Sequence, residues 1–336
     1  MDTALYDCRV ESIVPPGNEL IAIAACQACG CESARPTFSI AGLTSDVVVC
    51  QNCGLGMLHP MPSSDEIATF YPKEYYGDTG AKFEPLVEMM VRMVASRHAR
   101  FLVRGMPQGA RVLDIGCGRG VLLSTLADQG LEVHGVEHNE MAIEGADPRA
   151  EIRIAPRLSE AGYPDDFFDE VIIWHVLEHL SQPRETIDEI HRILRPGGRL
   201  VVAVPNFSSY QSRWAKDDWF HLDLPRHLFH FSIPALRSLL KTCNFQLDSE
   251  HHFSLRQNPF GWVQSFLNRS KSLPRNGLYM LLQKGTLGHT VDFTRATRLR
   301  LRMAYLLGMP IAVGLSLAAA IFRNGATIHI VATAQK

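Results

Sequence analysis

The sequence predicts an α/β protein: a parallel sheet, preceded by a small cysteine module and closed by a helical segment and one last strand. Three observations predict it. Apolar strand-like runs alternate with helical patterns between residues 109 and 255, which implies parallel strands covered by helices. Two Cys-x-x-Cys pairs stand near the N-terminus. A glycine-rich turn, Asp114-Ile115-Gly116-Cys117-Gly118-Arg119-Gly120, joins a strand directly to a helix.

The elements follow in order. Residues 1–60 are rich in Cys, Gly and short β-like runs. Residues 61–108 read as a helical connector, with an N-cap at Ser64 or Asp65 and a longer helix over Leu86 to Val103. Within 109–255, strands are expected at Arg111–Asp114, Val133–Glu137, Phe168–Trp174 and Leu200–Val204, and helices at Val121–Gln129 and Arg184–Leu194. Residues 256–325 read as an apolar helical insertion, and 326–336 as a final strand.

Composition narrows the class. A chain of 336 residues with 46% hydrophobic and 20% charged residues is a folded protein with room for more than one domain. A net charge of −2 excludes a surface built throughout to grip nucleic acid. Eight cysteines on so long a chain do not make a disulfide scaffold. No basic segment followed by an apolar run opens the sequence, so no signal peptide is read and a cytoplasmic location is expected.

Cys26-Gln-Ala-Cys29-Gly30 and Cys50-Gln-Asn-Cys53-Gly54 are near-identical knuckles. Their spacing matches a Cys₄ zinc site, structural because four thiolates leave no open position. Reduced buried thiols or two disulfides are the alternatives. Cys31 could replace one ligand of the first knuckle, and Cys8 has no assignment.

In the turn, Gly116, Gly118 and Gly120 permit a tight bend and close approach of a cofactor. Glu137 ends the next strand, where a carboxylate can accept two hydrogen bonds from a ribose diol. Asp114 would repel a pyrophosphate but attract the cationic amino-acid end of S-adenosylmethionine. Leu158 and Trp174 complete the candidate cofactor set.

Four ordered motifs then carry a resemblance. Val112 to Gly120, Val136-Glu137, Pro164 to Asp169 with Val176-Leu-Glu-His-Leu180, and Leu194 to Leu200 resemble the class I, ubiquinone-type methyltransferases. The resemblance implies S-adenosylmethionine as donor and a seven-stranded Rossmann-like sheet whose last strand, residues 326–332, is antiparallel. A zinc ribbon ahead of such a domain, with the aromatic stretch Phe70 to Tyr76, also resembles bacterial relatives that act on small, sugar- or lipid-linked molecules; there the ribbon and aromatics would cover the active site, with Tyr76 near the substrate.

Acceptor-side candidates fall in two places. In Trp174-His175-Val-Leu-Glu178-His179, His175 stands where relatives have Glu, so it is a base or lines the pocket, and metal dependence is not expected. His179 is a candidate substrate contact. Trp219 to Phe231 resembles a signature of the ribbon-bearing relatives; Arg226 would bind substrate and His227 would act as a base, or the segment orders its own loop.

Met303 to Phe322 carries no charge and is flanked by arginines. Gly308-Met309-Pro310 predicts two short helices rather than a span. These would pack on the protein, form a homodimer interface, or dip into a membrane surface as a peripheral contact. The favoured function is O-methylation of a small acceptor. An RNA methyltransferase is disfavoured because residues 19–62 hold one basic residue besides His, Arg35. A non-catalytic cofactor-binding protein is disfavoured by the intact motifs.

Overall fold

The structure, a computed structural model, describes residues 10–12, 19–71, 99, 102, 106–282 and 293–336. The N-terminal part is an antiparallel sheet of β1 (Val10–Ser12), β2 (Ile21–Ala22), β3 (Ser33–Ile40), β4 (Asp46–Cys50) and β5 (Gly56–His59). The short helix α1 (Ser64–Thr69) follows. Its N-cap is Ser63, one residue before the predicted one: Ser63 and Glu66 form a reciprocal capping box, which Ser64 and Asp65 cannot.

Five parallel strands come next: β6 (Arg111–Ile115), β7 (Glu132–Glu137), β8 (Glu151–Ile154), β9 (Phe168–Trp174) and β10 (Leu194–Pro205). β9 is central, and its Val171-Ile172-Ile173 run is fully buried because helices cover both faces. The helices α2 (Val121–Ala127) and α3 (Pro183–Ile193) are crossovers; α3 starts with Pro at its first turn and buries Ile187, Ile190 and Ile193. Next come α4 (Tyr210–Ala215), then β11 (Phe229–His230), then α5 (Ile233–Thr242). β11 leaves the large sheet and pairs with β5, extending the N-terminal one.

β12 (Phe245–His251), α6 (Asn258–Asn268), α7 (Gly277–Leu282), α8 (Arg295–Ile321) and β13 (Thr327–Ala334) complete the chain. β13 inserts antiparallel between β10 and β12, giving a seven-stranded sheet in the order β12-β13-β10-β9-β6-β7-β8. The expected sheet is therefore present. β8 and β12, short or alternating in burial, carry no distinctive apolar run.

The predicted break at Gly308-Met309-Pro310 is absent: α8 is one helix of 27 residues with Pro310 inside. A proline deletes one backbone hydrogen bond, at a cost of about 3 kcal/mol. Packing on both sides outweighs that cost, because Leu301, Ala312, Ser316 and Ala319 are all buried. The expected helix at 86–103 lies mostly outside the described residues; Ala99 and Leu102 are helical and buried.

One buried ion pair tests this packing. Glu170 on β9 is fully buried and bonded by Arg199 Nε at 2.8 Å. Burial, only partly offset by Arg199, pushes its carboxyl up to about 7 from 4.5. The folded state then holds this proton more tightly than the unfolded chain, so stability falls as pH rises from 4.5 to about 7. Glu170→Gln is expected to reduce that slope in pH-resolved thermal melts. Arg199→Met should destabilise by about 1–3 kcal/mol near neutral pH; an unchanged melt would sink this account.

Candidate active site and cysteine cluster

The glycine turn sits at the carboxyl ends of β6 and β7. Gly116, Gly118 and Gly120 have φ of 70°, 49° and 67°, values that disfavour side chains with a Cβ. A Cβ on Gly116 would come 2.5 Å from Val176 Cγ2, whereas one on Gly118 would meet no protein atom within 4 Å. The first glycine packs against the β9 loop and the second faces open space. Glu137 Oε2 accepts from the Gly118 N–H at 3.0 Å, and Oε1 from the His138 N–H at 2.8 Å. His138 Nδ1 also lies 2.7 Å from Oε1. Of the carboxylate's about four acceptor sites one is then left, and a diol would take it and displace the His138 side chain from another. Asp114 is buried; burial first, then the charge of Glu137, pushes its carboxyl up to about 7. A cation delivered here would relieve both effects. The residues present thus fit a ligand with an ammonium end, a diol and a body that passes over Gly118.

Leu158 lines the same crevice as Gly116, Glu137 and Val176. Trp174 does not join them. It points to the opposite face of the sheet, with Ile172, and packs its ring 4.4 Å from that of His329. Alternation along β9 places it there.

The acceptor-side residues converge. His175 follows β9 with φ of 54°, a strained conformation for a residue with a Cβ. Its Nδ1 lies 3.3 Å from Glu178 Oε1, and its buried Nε2 has no hydrogen-bond partner. Burial alone would raise the Glu178 carboxyl, but the bond from His175 and the neighbouring histidines hold it down at about 2. Glu178 is therefore the acceptor and His175 Nδ1 the donor of this bond. His227 is held alike: its Nδ1 donates to the His221 carbonyl at 2.9 Å, and its Nε2 lies 3.7 Å from Asp223 Oδ2.

His179 Nδ1 contacts the Arg226 carbonyl at 3.0 Å and the Tyr71 hydroxyl at 2.9 Å. Burial, then the neighbouring His227, lowers it to about 4, so it is neutral. Arg226 is buried and paired through Nε with Asp223 at 3.2 Å, which orders the loop rather than offering a free cation. Glu178, His179 and His227 each place one ligand-capable atom within 4.8 Å of the others. Tyr71, His221, Asp223 and His230 join this cluster without having been singled out from sequence. Burial drops His221 and His230 to about 3; the 219–231 signature pointed to this loop without giving these residues roles. Tyr76 lies outside the described residues.

The four cysteines Cys26, Cys29, Cys50 and Cys53 come together, all four sulfurs within 4.8 Å, and none is in a disulfide. The two knuckles are superposable in their bonding. Gly30 N–H donates to Cys26 O and Gly54 N–H to Cys50 O; Cys26 N–H donates to Cys31 O and Cys50 N–H to Leu55 O. Sulfur separations of 3.6 Å for Cys26–Cys53 and Cys29–Cys50 approach the roughly 3.8 Å edge of a tetrahedron with about 2.3 Å zinc–sulfur bonds. Cys31 turns away, its thiol donating to Ser33 O.

The cluster is tied to the acceptor side. Leu58 N–H donates to Leu228 O at 3.0 Å, and Leu228 N–H donates to Glu178 O at 2.9 Å. Ser232 Oγ donates to Cys53 O and Arg184 Nε to Gln27 O.

Strand order, glycine turn and paired acidic strand ends define a class I methyltransferase architecture. Comparison with known proteins agrees. Residues 88–250 match the family model of a methyltransferase domain. Over 146 residues the chain is 31% identical to a probable S-adenosylmethionine-dependent methyltransferase of Mycolicibacterium smegmatis, covering 42% of this chain and 53% of the relative; it thus spans about half that relative's length. It is 29% identical over 231 residues to a ubiquinone biosynthesis O-methyltransferase of Ruegeria pomeroyi, covering 58% and 86%. A methyltransferase structure from Archaeoglobus fulgidus aligns at TM-score 0.47 and 20% identity, covering 72% and 94%. Residues 88–250 are thus a methyltransferase domain.

Donor affinity should report Asp114. An ammonium binds best to the ionised carboxylate, so affinity is expected to rise as pH increases from about 5.5 to 7, approaching tenfold per unit at the acid end. Calorimetry on Asp114→Asn should show at least roughly tenfold weaker binding and little pH dependence. Wild-type affinity that stays flat over this range would contradict the role.

Proposed function

We propose that the protein transfers the methyl group of S-adenosylmethionine to a hydroxyl oxygen of a small quinone-, lipid- or sugar-linked acceptor, with His175 as general base. The supporting observation is the His175–Glu178 pair: Nδ1 is pinned to a carboxylate and Nε2 is buried, unpartnered and at the carboxyl edge of the sheet. When bound, the donor supplies an electrophilic methyl on a sulfonium. The acceptor oxygen would take that methyl, with the sulfur leaving as a neutral thioether, and His175 Nε2 would receive the hydroxyl proton. Glu178 stabilises the imidazolium so formed, as a base must be oriented and compensated. His227, fixed by the His221 carbonyl, would position the acceptor from the facing loop. The curated relative from Ruegeria acts on oxygen by name, which agrees with this reading.

Cys26, Cys29, Cys50 and Cys53 would hold a structural zinc ion. Zinc would let all four thiolates ionise together; without a cation, hydrogen bonding to Cys53 pulls Cys26 down to about 5 while burial pushes Cys50 up to about 11. A role in gripping RNA has little support: residues 19–62 hold one basic residue other than His, Arg35.

Two measurements test these assignments. Replacing His175 by Gln should lower kcat by about 10²–10⁴ with donor affinity nearly unchanged. A kcat within threefold of wild type would reduce His175 to pocket lining. Metal analysis should find about one zinc per chain. A second equivalent, lost on Glu178→Gln, would instead favour a cation at Glu178, His179 and His227.

A further inference from the structure

The helix α8 is long and apolar enough to cross a membrane, yet it is attached along its length. Leu301, Gly308, Ala312, Ser316 and Ala319 form a line three to seven residues apart that faces the protein. At Gly308 the approach is close, since a Cβ there would lie 3.2 Å from Val263 of α6. At its far end the chain passes from Phe322 straight into β13, in the middle of the sheet. A crossing would tear one end from these partners, so the helix lies alongside the body.

Among the described residues its other face is uncovered. Leu306, Leu307, Ile311, Ile321 and Phe322 are 64 to 78% exposed. The uncharged stretch from Met303 to Phe322 runs for about 30 Å at 1.5 Å per residue. Exposure continues onto neighbouring helices through Phe266 on α6 and through Tyr210 and Trp214 on α4. Arg213 lies over the Tyr210 ring at 4.9 Å and Arg269 over the Trp214 ring at 5.1 Å. The Tyr210 N–H donates to Asn324 O, which sets this aromatic rim beside the end of α8.

Charge is the second, independent observation. From residue 251 to 336 there are eleven Lys and Arg and one acid, Asp292, on a chain whose net charge is −2. The remaining residues, 1–250, are therefore strongly acidic. Arg295, Arg298, Arg300 and Arg302 crowd the start of α8, and Arg323 follows its end. A second copy of this chain would bring the same cations face to face, which is repulsive. An aqueous partner would not need an uncharged face of this length. A sheet of anionic headgroups over an apolar interior satisfies both features.

We infer that the face formed by α8, with α6 and α4, docks in the plane of an anionic lipid bilayer surface. Trp214 and Tyr210 would sit at headgroup level, as amphipathic rings do, and the arginines would pair with lipid phosphates. The docked edge is also the working edge. Asn206, directly after β10, donates its N–H to Ala326 O at 2.8 Å at the foot of α8, on the side of the sheet where the glycine turn lies. Gly261 of α6 packs against His221. An acceptor carried by the membrane would thus reach the histidine cluster without leaving the lipid surface.

Flotation of the purified full chain with vesicles tests this. One set is phosphatidylcholine alone, the other phosphatidylcholine with phosphatidylglycerol. At least about tenfold more protein should float with the anionic set, and high salt should reduce it. The double variant Leu307→Glu/Ile311→Glu should stay unbound while keeping donor affinity. Arg300→Gln/Arg302→Gln should lose the preference for anionic vesicles. Wild-type protein that floats with neither vesicle overturns the inference, whether monomeric or sedimenting as a dimer that Leu307→Glu/Ile311→Glu splits.

Discussion

The arrangement depends on a chain of backbone hydrogen bonds that begins in the cysteine-bearing sheet and ends at Glu178. Leu58 of β5 donates to Leu228, and Leu228 donates to Glu178. β11, immediately after His227, completes the same small sheet through Phe229 and His230. The loop that carries His221, Asp223, Arg226 and His227 is thereby held at both ends. One end leaves the large sheet at Pro205 and the other is a strand of the small sheet. The core is continuous across the junction, since Val47, Leu55 and Leu58 share one cluster with Ile173 and Phe231. A cysteine module at the start of the chain is therefore part of the wall around Glu178, not an appendage to it.

Electrostatics gives that junction its chemistry. Water is largely excluded, so each buried charge matters more than it would at a surface. Glu178 stays ionised because histidines surround it, and His179, His221 and His230 stay neutral because burial outweighs their carboxylate neighbours. The donor side works by the opposite device. Asp114 and Glu137 are buried near each other and raise the cost of Asp114's charge, so the site holds electrostatic energy that a cationic ligand releases. The two halves of the crevice are thus biased in opposite senses, one short of a cation and the other supplied with proton acceptors.

Much of this was legible in the sequence. The turn from Asp114 to Gly120 and the acid at Glu137 are short-range patterns, set by what a strand–turn–helix junction needs, and they sit where expected. The two knuckles were legible for the same reason. What was not legible depends on distant partners. Pro310 signals a break locally, but tertiary packing at Ala312 and Ser316 overrides it. Trp174 was grouped with the cofactor residues by its position in a motif, while strand alternation sends it to the other face. Whether Arg226 binds a substrate or orders its own loop was open in the sequence, because the pairing with Asp223, three residues away, is made on a turn that no periodicity announces. Tyr71 reaches His179 across more than a hundred residues, a distance at which single-sequence patterns carry no information.

The place of β13 in the sheet sets an order of assembly. It is a middle strand, yet both strands it joins, β10 and β12, are earlier in the chain. Until it arrives, each of those strands shows an unsatisfied backbone edge, the kind of surface that invites mispairing. α8 is made immediately before it. The apolar helix and the closing strand therefore become available together, so a nascent chain can bury its open edges only after its stickiest segment has emerged. Settling α8 early, against α6 or against another apolar surface, would protect the half-built sheet through the interval when it is most exposed.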